Sequence, residues 1–138
     1  MKISTKKERD PGSRWTPELI KGGWTPIADV FLEHYADLVP PITSLEAMLV
    51  IQLLQHKWDK SAPFPAFKTL AKRMGMSDAS ARSHARSLSR KGYLAREMRK
   101  AQTNRFYLDP LFKKLEEYVA AHPRPKREEV KFNPFAAA

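Results

Sequence analysis

Three arginines, Arg82, Arg86 and Arg90, recur four residues apart in LAKRMGMSDASARSHARSLSRKGYL, residues 70 to 94. On a helix this spacing keeps them to one side, while Ala81, His84, Ala85 and Leu88 take the other. A guanidinium is planar and offers parallel donors that fit guanine O6 and N7 or a phosphate. The chemistry implied is the gripping of a polyanion rather than proton transfer or metal ligation. Small residues at Ala79, Ser80 and Ser83 would keep the leading edge of such a helix slim enough to approach base pairs. Ser80, Arg82, Ser83 and Arg86 are therefore the candidate base readers. Asp78 could accept from a cytosine amino group, but better suits the positive end of the helix dipole, and His84 reads as a packed or hydrogen-bonded histidine rather than a metal ligand.

The elements that must hold this helix follow from its neighbours. PAFKTLAKRM predicts a short helix with Phe67, Leu70, Ala71 and Met74 on one face, stopped by Gly75. Ser77 is placed to cap the next helix, which ends near Lys91-Gly92. Two short helices across Gly75-Met76-Ser77 have the layout of a helix-turn-helix, whose second helix enters the major groove. Lys68, Lys72, Arg73, Ser77 and Arg90 are then candidates for the DNA backbone. Residues 93–98 and 105–108 predict a hairpin, or wing, offering Arg96, Arg99, Lys100, Gln102, Thr103, Asn104 and Arg105 to the duplex.

Upstream, residues 1–21 read as a flexible basic arm, set off by Gly22-Gly23. Thr25 and Pro26 predict the cap and first position of a helix carrying Ile27, Val30, Phe31, His34, Tyr35 and Leu38, ended by Pro40-Pro41. TSLEAMLVIQLLQHKW predicts a central helix with a Thr43/Glu46 capping box. Asp109-Pro110 predicts the cap and start of a last helix over 109–121. On it Phe112, Leu115, Tyr118 and Val119 could pair two copies into a homodimer, or fold back on their own domain. Residues 122–138 read as a flexible tail. The organisation expected is a winged helix-turn-helix over 22–108, mainly α with a small β-hairpin (α+β).

Charge supports a nucleic-acid partner. Of a formal net charge of +10, residues 65–108 hold eleven Lys or Arg against two Asp or Glu, while residues 22–64 hold two against five. Concentrated cations favour a polyanion because each neutralised phosphate releases counterions. There is no cysteine, so no disulfide or thiolate metal site arises. The histidines form no HExxH phrase and Gly22-Gly23 is followed by no Lys-Ser or Lys-Thr. No metal, cofactor or catalysis is expected, and no membrane association, since no apolar run is long enough to span a bilayer. The expected setting is cytoplasmic.

The phrase FPAFKTLAKRMGMSDASARSHARSLSRKGYL, residues 64 to 94, resembles winged helix-turn-helix domains of bacterial plasmid replication initiators and the amino-terminal part of DnaD-like primosomal proteins. Phe64-Pro65, Leu70-Ala71, Met74-Gly75, Ser77, Leu88 and Gly92-Tyr93-Leu94 carry the resemblance, and WTPIADVFLEHYADL and LEAMLVIQLL extend it. It implies noncatalytic double-stranded DNA binding in replication initiation or transcription regulation, or else a protein-interaction adaptor among replication proteins. Ala81 and Ala85 stand where that family has larger aliphatics, which implies either a more closely packed recognition helix or a bulky filler such as Phe67 or Tyr107.

Overall fold

The computed structural model describes residues 10–56, 66–97 and 105–123. The chain folds as a mainly helical domain with one antiparallel ribbon, in the order expected of a winged helix-turn-helix. Its helices are α1 (Pro11–Arg14), α2 (Pro17–Ile20), α3 (Asp29–His34), α4 (Ser44–Gln55), α5 (Phe67–Met74), α6 (Asp78–Arg90) and α7 (Asp109–Ala121). A single 3-10 turn, Tyr35–Asp37, follows α3, and the strands β1 (Ala95–Glu97) and β2 (Arg105–Tyr107) precede α7.

Helix α4 forms where its cap demands. Thr43 Oγ1 accepts from the Glu46 amide at 3.2 Å and Glu46 Oε1 accepts from the Thr43 amide at 2.8 Å, so two orphan donors are satisfied reciprocally. The helix buries Ala47, Leu49, Val50 and Leu53 but leaves Leu45 and Met48 exposed. It is central on one face and open on another, rather than apolar and covered all round. Helices α5 and α6 pack on it and on each other, burying Phe67, Leu70, Ala71, Ala81, Ala85 and Leu88. Gly75 adopts φ +66°, a left-handed conformation that only a residue without Cβ takes at little cost. This lets the Met76 amide return to the Ala71 carbonyl at 2.9 Å, and α6 can start two residues later.

Several starts differ from expectation. The chain stays extended through Ala28, which caps α3 with no side-chain bond. Thr25 and Pro26 instead line a cleft with residues of α1 and α2. The reading of residues 1–21 placed no element there, yet α1 and α2 each carry a cap followed by proline: Asp10 accepts from Gly12, and Thr16 from Leu19. Helix α7 begins at Asp109 itself, with Leu108 in the cap position.

The ribbon pairs Ala95 with Tyr107, Arg96 with Phe106 and Glu97 with Arg105. Phe106, buried to 2% exposure, is the filler that Ala81 and Ala85 leave room for, together with Phe67. The two rings meet edge to face at 5.4 Å. Tyr107 is not that filler: alternation along the strand turns it outward, where its hydroxyl donates to Glu97 Oε2 at 2.6 Å.

Candidate nucleic-acid interface

Helix α6 is positioned from both ends. At its start the Ser77 hydroxyl accepts from the Ser80 amide at 3.1 Å and donates to Ser80 Oγ at 3.1 Å. This leaves Ser80 a hydroxyl proton to offer outward. At its end Lys91 reaches across to the beginning of α4, donating to the Pro41 carbonyl at 2.8 Å and to Glu46 Oε1 at 2.6 Å. Glu46 is 2% exposed. Burial pushes its carboxyl upward, but bonds from Lys91, Ser87 and the Thr43 amide, with the Lys91 charge, outweigh this and leave it below the usual carboxylate range. Tyr93 closes the same corner by donating to the Pro40 carbonyl; burial and then the Glu46 charge raise its phenol.

Between these anchors Ala81, Ala85 and Leu88 face the core, and Ser80, Arg82, Ser83, Arg86 and Arg90 are all exposed. At about 100° per residue, Ser83, Arg86 and Arg90 project opposite the buried face, while Arg82 and Ser89 fall on the flank toward the hairpin. The Arg82 guanidinium lies 5.0 Å from the centre of the Phe67 ring. Stacking by the face leaves the in-plane donors free to form hydrogen bonds. Between α6 and the ribbon a groove of about 380 Å³ is lined by Ala85, Arg86, Ser89, Arg90, Leu94, Arg96 and Phe106. Sequence spacing does not connect Phe67 with Arg82, because the two lie fifteen residues apart on different helices.

The remaining basic residues divide. Lys68 and Lys72 are exposed on α5. Arg73 is turned back: its Nη1 donates to Gln55 Oε1 at 2.9 Å and lies 2.6 Å from His56 Nε2, which must be the unprotonated nitrogen because arginine only donates. Burial, and then the Arg73 charge, lower the His56 pKa. Arg105 is half-buried and Arg96 exposed on the ribbon, whereas Arg99, Lys100, Gln102, Thr103 and Asn104 lie outside the described residues.

The four residues considered for pairing two copies do not form one exposed set. Leu115 is buried with Leu111 in the core, Phe112 and Tyr118 pack partly against it, and Val119 is exposed. Residues four apart on α7 point the same way, and α7 lies on α3. There the Tyr118 hydroxyl is 3.1 Å from His34 Nδ1, which is 2.9 Å from Asp37 Oδ2. Tyr118 also stacks on His122 at 4.2 Å. Among the described residues, no group of three His, Asp or Glu could hold a metal ion. No described helix is long and apolar enough to cross a membrane.

In solved structures this fold is similar to the crystal structure of the N-terminal domain of DnaD protein from Geobacillus kaustophilus HTA426. The TM-score is 0.59 at 23% identity, over 88% of this chain and 93% of that one. None of the curated proteins compared with the chain matches it. The model of the DnaD N-terminal domain family matches residues 27–126, from the approach to α3 to beyond α7. That stretch spans α3 to α7 with the ribbon and the core, and the family implies a function related to DNA replication. The chain belongs to the DnaD N-terminal domain family.

Proposed function

We propose that the chain binds double-stranded DNA without catalysing a reaction on it, in the replication setting its family implies. Helix α6 enters the major groove, with Ser80, Arg82, Ser83 and Arg86 directed at base edges. Lys68, Lys72, Arg90 and the basic residues of the ribbon neutralise phosphates and fix the register. The observation that carries the reading is the outer face of α6: small and basic side chains, exposed along its length, with no acidic residue after Asp78. A helix whose outward side only solubilised the domain would mix both signs of charge.

Selection of bound duplexes from a random pool supplies the site, and the variant Arg82→Ala/Arg86→Ala tests the readers. A bidentate contact discriminates by about 1–3 kcal/mol, so affinity for the selected site falls roughly tenfold or more while affinity for scrambled duplex falls less. Equal losses on both reject base reading. Binding that does not weaken with added salt rejects the phosphate contacts.

A second reading, an adaptor that docks replication proteins, draws on Trp15 and Leu19, 67% and 62% exposed, which line the cleft of α1 and α2 with Trp24. Protein association that survives loss of Arg82 and Arg86 would mark that role.

A further inference from the structure

We infer that Phe106, in the ribbon, is a positioning residue for the base reader Arg82 and acts on it through the Phe67 ring. Buried beneath the surface, Phe106 meets no base; it sets how sharply one base is read. This rests on the DNA-binding reading and deepens it, because it ties the specificity of α6 to the seating of the ribbon.

The three side chains form a stack across three elements. Phe106 on β2 is 2% exposed, and Phe67, the first residue of α5, is 8% exposed. Their centroids are 5.4 Å apart with the ring planes at 77°, so each ring limits the tilt of the other. The Arg82 guanidinium, on α6, lies over Phe67 at 5.0 Å from its centre. Among the described residues Arg82 forms no ion pair, so the ring is its support. Attraction between a cation and an aromatic face at an exposed site favours one placement by roughly two- to fivefold. That bias has a direction only if the ring itself is held. A swinging Phe67 would carry the guanidinium plane with it, and Phe106, fixed by its place opposite Arg96 in the ribbon register, prevents the swing.

Orientation matters because bidentate recognition needs two donors of one planar group aimed at one base edge. An arginine gives up rotamer freedom when it docks, and one already biased toward the docked placement gives up less. Arg86, one turn further along α6, has no ring beneath it among the described residues. The two readers therefore differ: Arg82 meets its base already set, and Arg86 adapts to its own. A change in the stack is then felt at one base position and not at the other.

The test uses the full chain with nitrogen-15-labelled arginine, the Arg82 Nε–H signal being assigned by its loss in Arg82→Gln. Without DNA, the Phe67 ring current should displace that signal from those of Arg86 and Arg90. Phe67→Leu should abolish the displacement, Phe67→Tyr should keep it, and Phe106→Leu should reduce it. Phe31→Leu, the same loss of a ring in α3, should leave it unchanged, which separates the stack from general loosening of the core. Where Phe106→Leu does not fold, Phe106→Met fills the space without a flat edge and serves in its place. An undisplaced wild-type signal, or one that Phe106→Leu moves no more than Phe31→Leu does, overturns the inference whatever the protein does with DNA. On duplex, Phe106→Leu should lower the ratio of selected to scrambled affinity roughly two- to fivefold and relax the base position that Arg82→Gln relaxes. With Arg82→Gln already in place it should lower the ratio no further. Relaxation at a different position, or an undiminished loss in that background, marks a merely structural effect and overturns the inference while the DNA reading stands. Displaced signals without any duplex binding overturn the DNA reading and, with it, the role given to Phe106.

Discussion

Replacing Lys91 by methionine removes a charge and three donors while keeping most of the aliphatic stem. Glu46, 2% exposed, then holds a buried carboxylate whose bonds come only from its own helix start and from Ser87. Removing one partner of a buried pair costs about 3–5 kcal/mol, because the other charge is left uncompensated. Lys91 itself is 22% exposed, so water can replace part of what it provides and the lower end, about 3 kcal/mol, is expected. This is a large fraction of the roughly 5–15 kcal/mol that stabilises a domain, and it corresponds to a fall in Tm of roughly 10 °C. Urea denaturation followed by far-ultraviolet circular dichroism at pH 7 measures it. Adding Glu46→Gln to Lys91→Met should recover stability, since the buried charge is gone and the amide still accepts at the Thr43 cap. Acid gives a second arm. Glu46 titrates below its ordinary value of 4.5, so the wild-type contribution is whole above that pH and is lost as pH falls through the lowered folded value. In Lys91→Met burial acts with less opposition, the carboxyl protonates earlier, and the gap to wild type narrows as pH drops below about 5. A loss under about 1 kcal/mol at pH 7, or a double variant no better than Lys91→Met, would refute the account of α6 as a helix clasped to α4 through Glu46.

Phe67→Leu should keep the core filled but remove the ring beneath Arg82, lowering the ratio of selected to scrambled duplex affinity several-fold at unchanged salt slope; Phe67→Tyr should restore it. Gly75→Ala should cost about 1 kcal/mol in urea melts, from the left-handed backbone alone, because open space surrounds a Cβ there; Gly75→Asn should cost less. The lowered His56 pKa makes its contribution present above about pH 6.5 and lost as pH falls through the folded value. A melt series from pH 7.5 to 5 should show that decline in wild type and not in His56→Gln. Arg73→Ala should leave the salt slope for duplex binding unchanged, whereas a flatter slope would return Arg73 to the phosphate surface.

What the sequence made legible was local. The Thr43/Glu46 box, Gly75 as a stop, the Ser77 cap and the Ala81–Ala85–Leu88 face all join residues within one or two turns, where spacing maps onto geometry. Cap-and-proline pairs were less reliable, since Asp10-Pro11 and Thr16-Pro17 start helical turns while Thr25-Pro26 does not. In the ribbon a shift of one position exchanges inside for outside, and three-residue strands give too little alternation to fix it. Hence Tyr107 was offered as filler where Phe106 fills. Pairings between distant residues left no trace, and Lys91 with Glu46, Arg73 with His56 and Arg82 with Phe67 had to be seen in three dimensions.

These distant pairings change how the charge excess is understood. Eleven cations in residues 65–108 look, in sequence, like one undivided basic surface. Lys91 is bonded to a buried carboxylate and Arg73 to the end of α4, so neither contributes to a polyanion contact in the way its charge suggests. What remains exposed on α6 is Arg82, Arg86 and Arg90, on its outer face and one flank. The two committed cations have a different effect. By fixing the end of α6 to the start of α4 and the end of α5 to the end of α4, they hold the helix pair rigid, so that Arg82, Arg86 and Arg90 meet a ligand already oriented. An orientation fixed in advance spares the ordering cost of binding, and so a domain this small can turn a modest number of cations into a directed contact.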